Sequence, residues 1–176
     1  MGYGVASLME SLIDVLEKES DEYKNLLNLS MQKTQVIVSE DLDQLARITD
    51  EEQLIVSRIN HLDTIRNEAV QDIANVLNKD VTKLKIADLI KMLGQRPEEQ
   101  QKLAAAFDVL QTNVKNVARI NEQNRELIQN ALEMVQFHMN LIQSMKAAPE
   151  TANYNRGACS TGDIIGIERK SFDAKQ

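Results

Sequence analysis

The chain has 176 residues, 43% of them apolar, 27% charged and 3% aromatic, with six Gly, two Pro and one Cys. So few turn-forming residues exclude a β-rich protein and disfavour Gly-rich nucleotide-binding loops, and the length suits one domain. The net charge of −7, without a block of five basic residues, disfavours binding to nucleic acids or to anionic membranes. No apolar run is long enough for a signal peptide or a membrane span. Cys159 is the single cysteine, so no intrachain disulfide can form. We therefore expect a soluble, cytoplasmic protein.

Two long amphipathic helices are predicted in the first half of the chain. From residue 5 to 38, apolar residues recur at spacings of three and four, the repeat of a helix. Ser39 is the predicted N-cap of a second helix over 40–77. Its coiled-coil alternation is broken only by Glu52 and Arg66, which lie too far apart to pair within one helix. Each of them therefore needs a partner from another helix if it is buried.

A short helix and a long one are predicted to follow. Residues 83–93 form the short helix, with Thr82 as its cap and Gly94 at its C-terminal end. Pro97, followed by two glutamates, starts a last helix over 97–146, because Pro and acids both suit the first helical turn.

The fold class is therefore all-α. We expect an elongated antiparallel helical bundle or coiled coil of three long helices plus one short helix, forming one domain over 1–146. Residues 147–176 contain three glycines and are predicted to form a flexible C-terminal tail, because they cannot bury enough apolar surface to offset their ordering entropy.

Three polar residues interrupt the apolar alternation of the last helix. Asn121 and Asn124 are interpreted as positions that fix the register of the coiled coil, and a functional role stays open for them. His138 is either a phosphorylatable histidine or a packed one, and its apolar neighbours favour the second. Metalloprotease, P-loop, dinucleotide-binding and nucleophile-elbow motifs are absent, as is the Glu-x-x-His pair of di-iron bundles. We therefore expect no enzymatic activity, no catalytic residue, no metal and no cofactor, and interpret Cys159 as unreactive.

Residues 134–145 have an unusually wide apolar surface. Seven of these twelve positions are large and apolar, and they span an arc of roughly 200° on a helix. Three of the seven methionines in the chain lie here, and Met-rich surfaces adapt to different partners. The arc is either a partner-binding surface or a region covered by the other helices or by a second copy. The predicted partner-binding residues are Met134, Phe137, Met139, Leu141, Ile142, Met145 and, in the tail, Tyr154.

The order of residues along the chain resembles the FlgN family of flagellar export chaperones. The resemblance rests on Glu19, Tyr23, Leu26-Leu27, Leu29, Lys33, Asp41, Leu45, Glu52, Ile59, Leu62, Arg66, Asn121, Asn124, Leu127-Ile128, Tyr154-Asn155 and Gly157. It implies a cytoplasmic, non-enzymatic chaperone of the flagellar type III secretion system. Such a chaperone binds hook-associated proteins, prevents their premature assembly and delivers them to the membrane export gate. The resemblance also implies a client site toward the C-terminus.

Two alternatives from other classes remain open. A phosphotransfer or signalling bundle would use His138. A structural coiled-coil scaffold would form a homodimer that covers residues 134–145.

The partners expected from the resemblance are hook-associated client proteins and the flagellar export apparatus. We expect no nucleic acid and no membrane insertion, and a homodimer is left open.

Overall fold

The structure, a computed structural model, describes residues 2–147, and all regular elements in that range are helical. Four α-helices are present, α1 (Gly2–Val38), α2 (Leu42–Val76), α3 (Ile86–Met92) and α4 (Pro97–Ala147), with single 3-10 turns at Val81–Lys83 and Leu93–Gln95. The predicted all-α class, with long helices, is confirmed. Side chains are described for residues 6–82 and 84–146. The predicted tail over 147–176 lies outside the described residues, except for the backbone of Ala147, and its division from a domain over 1–146 stays a prediction.

The chain divides into two compact units, residues 1–134 and residues 135–176. The first unit holds α1, α2, α3 and most of α4. The described part of the second unit is the last stretch of α4.

The turn between α1 and α2 differs from the prediction at its cap. Asp41, not Ser39, is the N-cap of α2, and its carboxylate accepts a hydrogen bond of 3.0 Å from the backbone N–H of Gln44. Ser39 and Glu40 instead close α1, since Glu40 has a left-handed φ of 59°. The N–H of Glu40 bonds to Ile37 O and that of Asp41 to Val36 O, a Schellman pattern that satisfies the last carbonyls of α1.

The segment around α3 also corrects two expectations. Asp80 caps the 3-10 turn by accepting from the backbone N–H and the hydroxyl of Thr82, bonds that lower the pKa of the Asp80 carboxyl. Thr82, which was expected to cap the short helix, is therefore the residue that Asp80 caps. Gly94 lies in the second 3-10 turn without a positive φ, so the left-handed glycine expected at the end of α3 is absent. Besides Glu40 after α1, the other left-handed residue of the described chain is Asn78, which follows α2.

Side-chain bonds show the directions in which the long helices of the first unit run. α2 runs antiparallel to α1, because residues late in α1 pair with residues early in α2 and the reverse. These ion pairs are Lys33 with Glu52 at 2.7 Å, Glu22 with Arg58 at 2.9 Å, and Glu19 with Arg66 at 2.9 Å. α4 runs parallel to α1, because Asn113 bonds to Ser20 and Asn124 bonds to Ser30.

The apolar core of the first unit has two clusters of buried side chains. The larger lies where all four helices meet, and its members are Met9, Leu12, Leu16, Ile73, Leu89, Leu93, Leu103, Ala106 and Leu110. The smaller contains Leu26, Ile55, Ile59 and Val117, from α1, α2 and α4. Burial of a large aliphatic side chain stabilises a fold by about 1.5–3 kcal/mol, so the larger cluster is the main apolar contribution to stability.

The buried row of α4 follows a register that only partly matches the predicted one. The buried residues between Pro97 and Ile128 alternate at spacings of three and four, and they are Leu103, Ala106, Leu110, Asn113, Val117, Ile120 and Asn124. Asn121, which was expected on this row, is exposed, and Asn113 is buried on it. Both registers fit the sequence, since a step of four from Leu110 reaches Val114 and a step of three reaches Asn113. The hydrogen bond from Asn113 to α1 favours the second.

Candidate partner-binding surface

A buried ion pair links α1 to α2 at the edge of the larger cluster. Nη1 of Arg66 donates to both carboxylate oxygens of Glu19, and Nη2 donates to Asp63 on its own helix. Burial raises the pKa of Glu19, although Arg66 acts to lower it. Burial next to Glu19 also raises the pKa of Tyr23. The expectation that Arg66 would take a partner from another helix is therefore confirmed.

A second polar layer joins three helices. Glu52 of α2 accepts from Nζ of Lys33 at 2.7 Å and from the hydroxyl of Ser30 at 3.1 Å, so it too pairs with another helix. Nδ2 of Asn124 donates to the backbone carbonyl of Ser30 at 2.8 Å, and the hydroxyl of Thr34 donates to Oδ1 of Asn124 at 2.6 Å. Ser30 thus bonds to both neighbouring helices: its hydroxyl donates to Glu52 of α2, and its carbonyl accepts from Asn124 of α4.

Asn113 repeats this arrangement eleven residues earlier on α4. Its Nδ2 donates to the hydroxyl of Ser20 at 2.8 Å and to the carbonyl of Ser20 at 3.2 Å. Among the described residues, no buried side-chain polar atom lacks a hydrogen-bond partner. Because these groups satisfy each other, they serve packing and register, and none is left free to bind a ligand.

The predicted partner-binding residues on α4 are exposed. Every side chain from residue 129 to 146 is exposed, with Phe137 at 64% and Met145 at 70% of the maximal area. Met134, at the end of the first unit, is exposed as well, and so are Met139, Leu141 and Ile142 in the second. Tyr154 lies outside the described residues. The described side chains of this set are thus all exposed, and their role in partner binding stays a prediction.

The exposed apolar residues of the second unit make up a C-terminal apolar surface. It consists of Val135, Phe137, Met139, Leu141, Ile142 and Met145. Large exposed apolar patches are uncommon on soluble proteins and mark sites of interaction. The sequence-based site set omitted Val135, and it also omitted Leu132, which is exposed on the first unit. Leu132 and Val135 lie three residues apart, and this helical spacing in the sequence could have identified both.

His138 lies among these residues without the surroundings of a phosphotransfer site. Its ring is 6.0 Å from that of Phe137, at an interplanar angle of 55°. Residues 134–145 contain no Asp, Glu, Lys or Arg, so this stretch of its own helix offers no basic neighbour. The imidazole is thus exposed within an apolar and uncharged surrounding.

Neither a metal site nor a membrane-spanning helix is present among the described residues. Their His, Asp and Glu side chains form no group of three or more that could hold a metal ion. Within residues 2–147, no helix combines the length and the apolar character that crossing a membrane requires.

The chain is similar to a curated bacterial protein and to a protein family. One relative, the "Uncharacterized protein YvyG" of Bacillus subtilis (strain 168), is 21% identical over 167 residues, which cover 94% of this chain and 98% of the relative. No solved structure matches the chain. The family described as FlgN protein matches residues 1–159. Because that match covers most of the 176 residues, the chain belongs to the FlgN family, a family of flagellar chaperones and not of enzymes.

Proposed function

We propose that this protein is a cytoplasmic export chaperone for flagellar hook-associated proteins. It binds these clients, prevents their premature assembly and delivers them to the flagellar type III export gate. Membership of the FlgN family supports the chaperone class. The observation that carries the client site is the C-terminal apolar surface, whose six large side chains are all exposed.

The chemistry of this surface suits a client that must stay unassembled. A segment destined to pack into a polymer carries an apolar face, and that face would lie against the exposed residues of α4 as an amphipathic helix lies in a groove. The three methionines of residues 134–145 are flexible enough to adapt to more than one client helix. While the face is covered, the client cannot polymerise.

A truncation after Ala131 tests the location of the client site. Every buried residue of α4 precedes this point, the last being Asn124, so the truncated protein should keep its helical fold. We expect circular dichroism to report a helical protein and a pull-down to report loss of a hook-associated client from the same genome. A truncated protein that still captures the client would refute the proposed site.

Point substitutions separate binding from folding. Phe137→Ser and Leu141→Ser should weaken client binding by about tenfold or more, as expected when an anchoring apolar side chain is removed from an interface. Gln136→Ser, on the same helix, is the matched control and should bind as the wild type does. Loss of helicity together with loss of binding would mean that these residues belong to a core, which would contradict their exposure in the structure.

Sedimentation separates the chaperone from a structural scaffold. A chaperone should bring a client into a mixed complex through the exposed surface. If a stable homodimer instead covers the C-terminal apolar surface and excludes the client, the scaffold interpretation replaces the proposal.

A further inference from the structure

The buried part of α4 provides an internal reference for how much of a helix two neighbours cover. If Leu103 is assigned position a of a heptad, every buried side chain between Pro97 and Ile128 lies at position a or d. These residues pack against α1 and α2, as the smaller cluster and the bonds of Asn113 and Asn124 demonstrate. Two facing helices therefore fully bury a single row of α4 and leave Ala104 and Phe107, at positions b and e, half-buried.

The second unit carries more than one such row. In the same heptad register, His138, Leu141 and Met145 continue the a and d row. Val135, Met139 and Ile142 form another row at positions b and e, about 100° around the helix from the first. All six are exposed. Because two helices together fully bury only one row of α4 in the first unit, a single client helix would leave at least part of the second row in water.

The surface is also uncharged. Residues 134–145 contain no Asp, Glu, Lys or Arg, although 27% of the whole chain is charged. The polar side chains between the apolar ones are amides, a hydroxyl and the imidazole of His138: Gln136, Asn140, Gln143 and Ser144 are all exposed. A partner that fits must present apolar and neutral polar side chains, because a charged one would be desolvated without an opposite charge to pair with.

From this width and this lack of charge we propose that the C-terminal apolar surface receives two client helices at once. One lies on the row of His138, Leu141 and Met145, and the other lies on the row of Val135, Met139 and Ile142. Both helices make apolar contacts with these rows, and neither places a charged side chain against them. This inference rests on the proposed function, and it adds the number and the chemistry of the client segments.

Site-specific photo-crosslinking tests the two-helix arrangement in the full-length chain. A photo-crosslinking amino acid replaces Leu141 in one variant, Ile142 in a second and Gln143 in a control, each mixed with a full-length hook-associated protein from the same genome. We expect crosslinks from position 141 and from position 142 to map to two different client helices, and position 143 to give few crosslinks.

The other outcomes separate this inference from the proposed function. Crosslinks from positions 141 and 142 to the same client helix would overturn the two-helix arrangement and leave the client site in place. Crosslinks from position 142 to a second copy of the chain would also overturn it. If the client binds and neither position reaches it, the proposed site and the inference both fail.

The salt dependence of binding tests the proposed chemistry. Exposed charge pairs are screened by added salt, whereas apolar contacts are not weakened by it. We expect the client affinity to change by less than about twofold between roughly 50 and 500 mM NaCl. A fall of about tenfold or more would overturn an uncharged contact and indicate pairing with charges elsewhere on the chain.

Discussion

Arg66 holds a carboxylate that is almost completely shielded from water. Its Nη1 lies 3.1 and 2.9 Å from the two carboxylate oxygens of Glu19, and Glu19 is only 1% exposed. Isolated burial of a carboxylate costs several kcal/mol, which the guanidinium offsets in part. The pair ties α1 to α2 at a defined register, because no other acid of α1 bonds to Arg66 in the described structure.

Arg66→Ala should strongly destabilise the protein. It leaves Glu19 buried without its cation, and breaking a buried pair in this way costs about 3–5 kcal/mol. Arg58→Ala is the matched control, since Arg58 pairs with Glu22 at an exposed position and such a pair contributes about 0–1 kcal/mol. Urea unfolding at neutral pH measures both. Equal losses for the two variants would contradict the buried character of the Glu19 pair.

The raised pKa of Glu19 predicts how stability depends on pH. A carboxyl whose pKa is raised by folding binds its proton more tightly in the folded state. Its contribution is therefore fully present below its ordinary pKa of 4.5 and is lost as the pH rises through the folded value. The free energy of unfolding of the wild type, minus that of Glu19→Gln, should fall from pH 4 toward pH 7.

A surface variant controls for charge in this measurement. Glu17→Gln removes one negative charge from an exposed position of the same helix. Its difference from the wild type should follow a flatter course over the same pH range. A wild type that gains stability over Glu19→Gln as the pH rises would mean that the attraction of Arg66 outweighs burial.

Asn124→Ala should destabilise the protein, whereas Asn121→Ala should not. Removal of the Asn124 amide breaks two hydrogen bonds to α1, whereas the Thr34 hydroxyl keeps its bond to the carbonyl of Ser30. At about 0.5–1.5 kcal/mol for each bond, the expected cost is about 1–3 kcal/mol. Asn121 is exposed, so its substitution should stay within about 0.5 kcal/mol of the wild type. Thermal unfolding of both variants measures the difference. A larger effect for Asn121 would restore the register in which that residue faces the core.

Glu40→Gly should stabilise the protein. Glu40 has a left-handed φ of 59°, which costs about 1–2 kcal/mol for an L-residue with a side chain, and glycine lacks this cost. The larger entropy of glycine in the unfolded chain offsets part of the gain, so we expect about 0.5–1 kcal/mol. Asn78→Gly should gain less, because asparagine tolerates this conformation. Denaturant midpoints measure both, and a destabilised Glu40→Gly would show that the side chain contributes a contact of its own.

The sequence was sufficient to predict the helices. It was also sufficient to predict that Glu52 and Arg66 would each pair with a residue of another helix. Spacings of three and four depend only on the turn of a helix, so the all-α class and the four α-helices follow from them. Glu52 and Arg66 interrupt apolar positions, and a buried charge needs a counter-charge. Their partners, Lys33 and Glu19, accordingly come from another helix.

What the sequence determined by itself is thus the periodicity of each helix, including the apolar residues of the C-terminal surface. The tertiary structure decided which of two overlapping rows on α4 is buried, which acid among the many of α1 pairs with Arg66, and that the residues from 129 to 146 are exposed. A helical repeat states which residues share a face, but it does not state what lies opposite that face. That depends on the neighbouring helices, and Asn113 and Asn124 are buried because Ser20 and Ser30 of α1 bond to them.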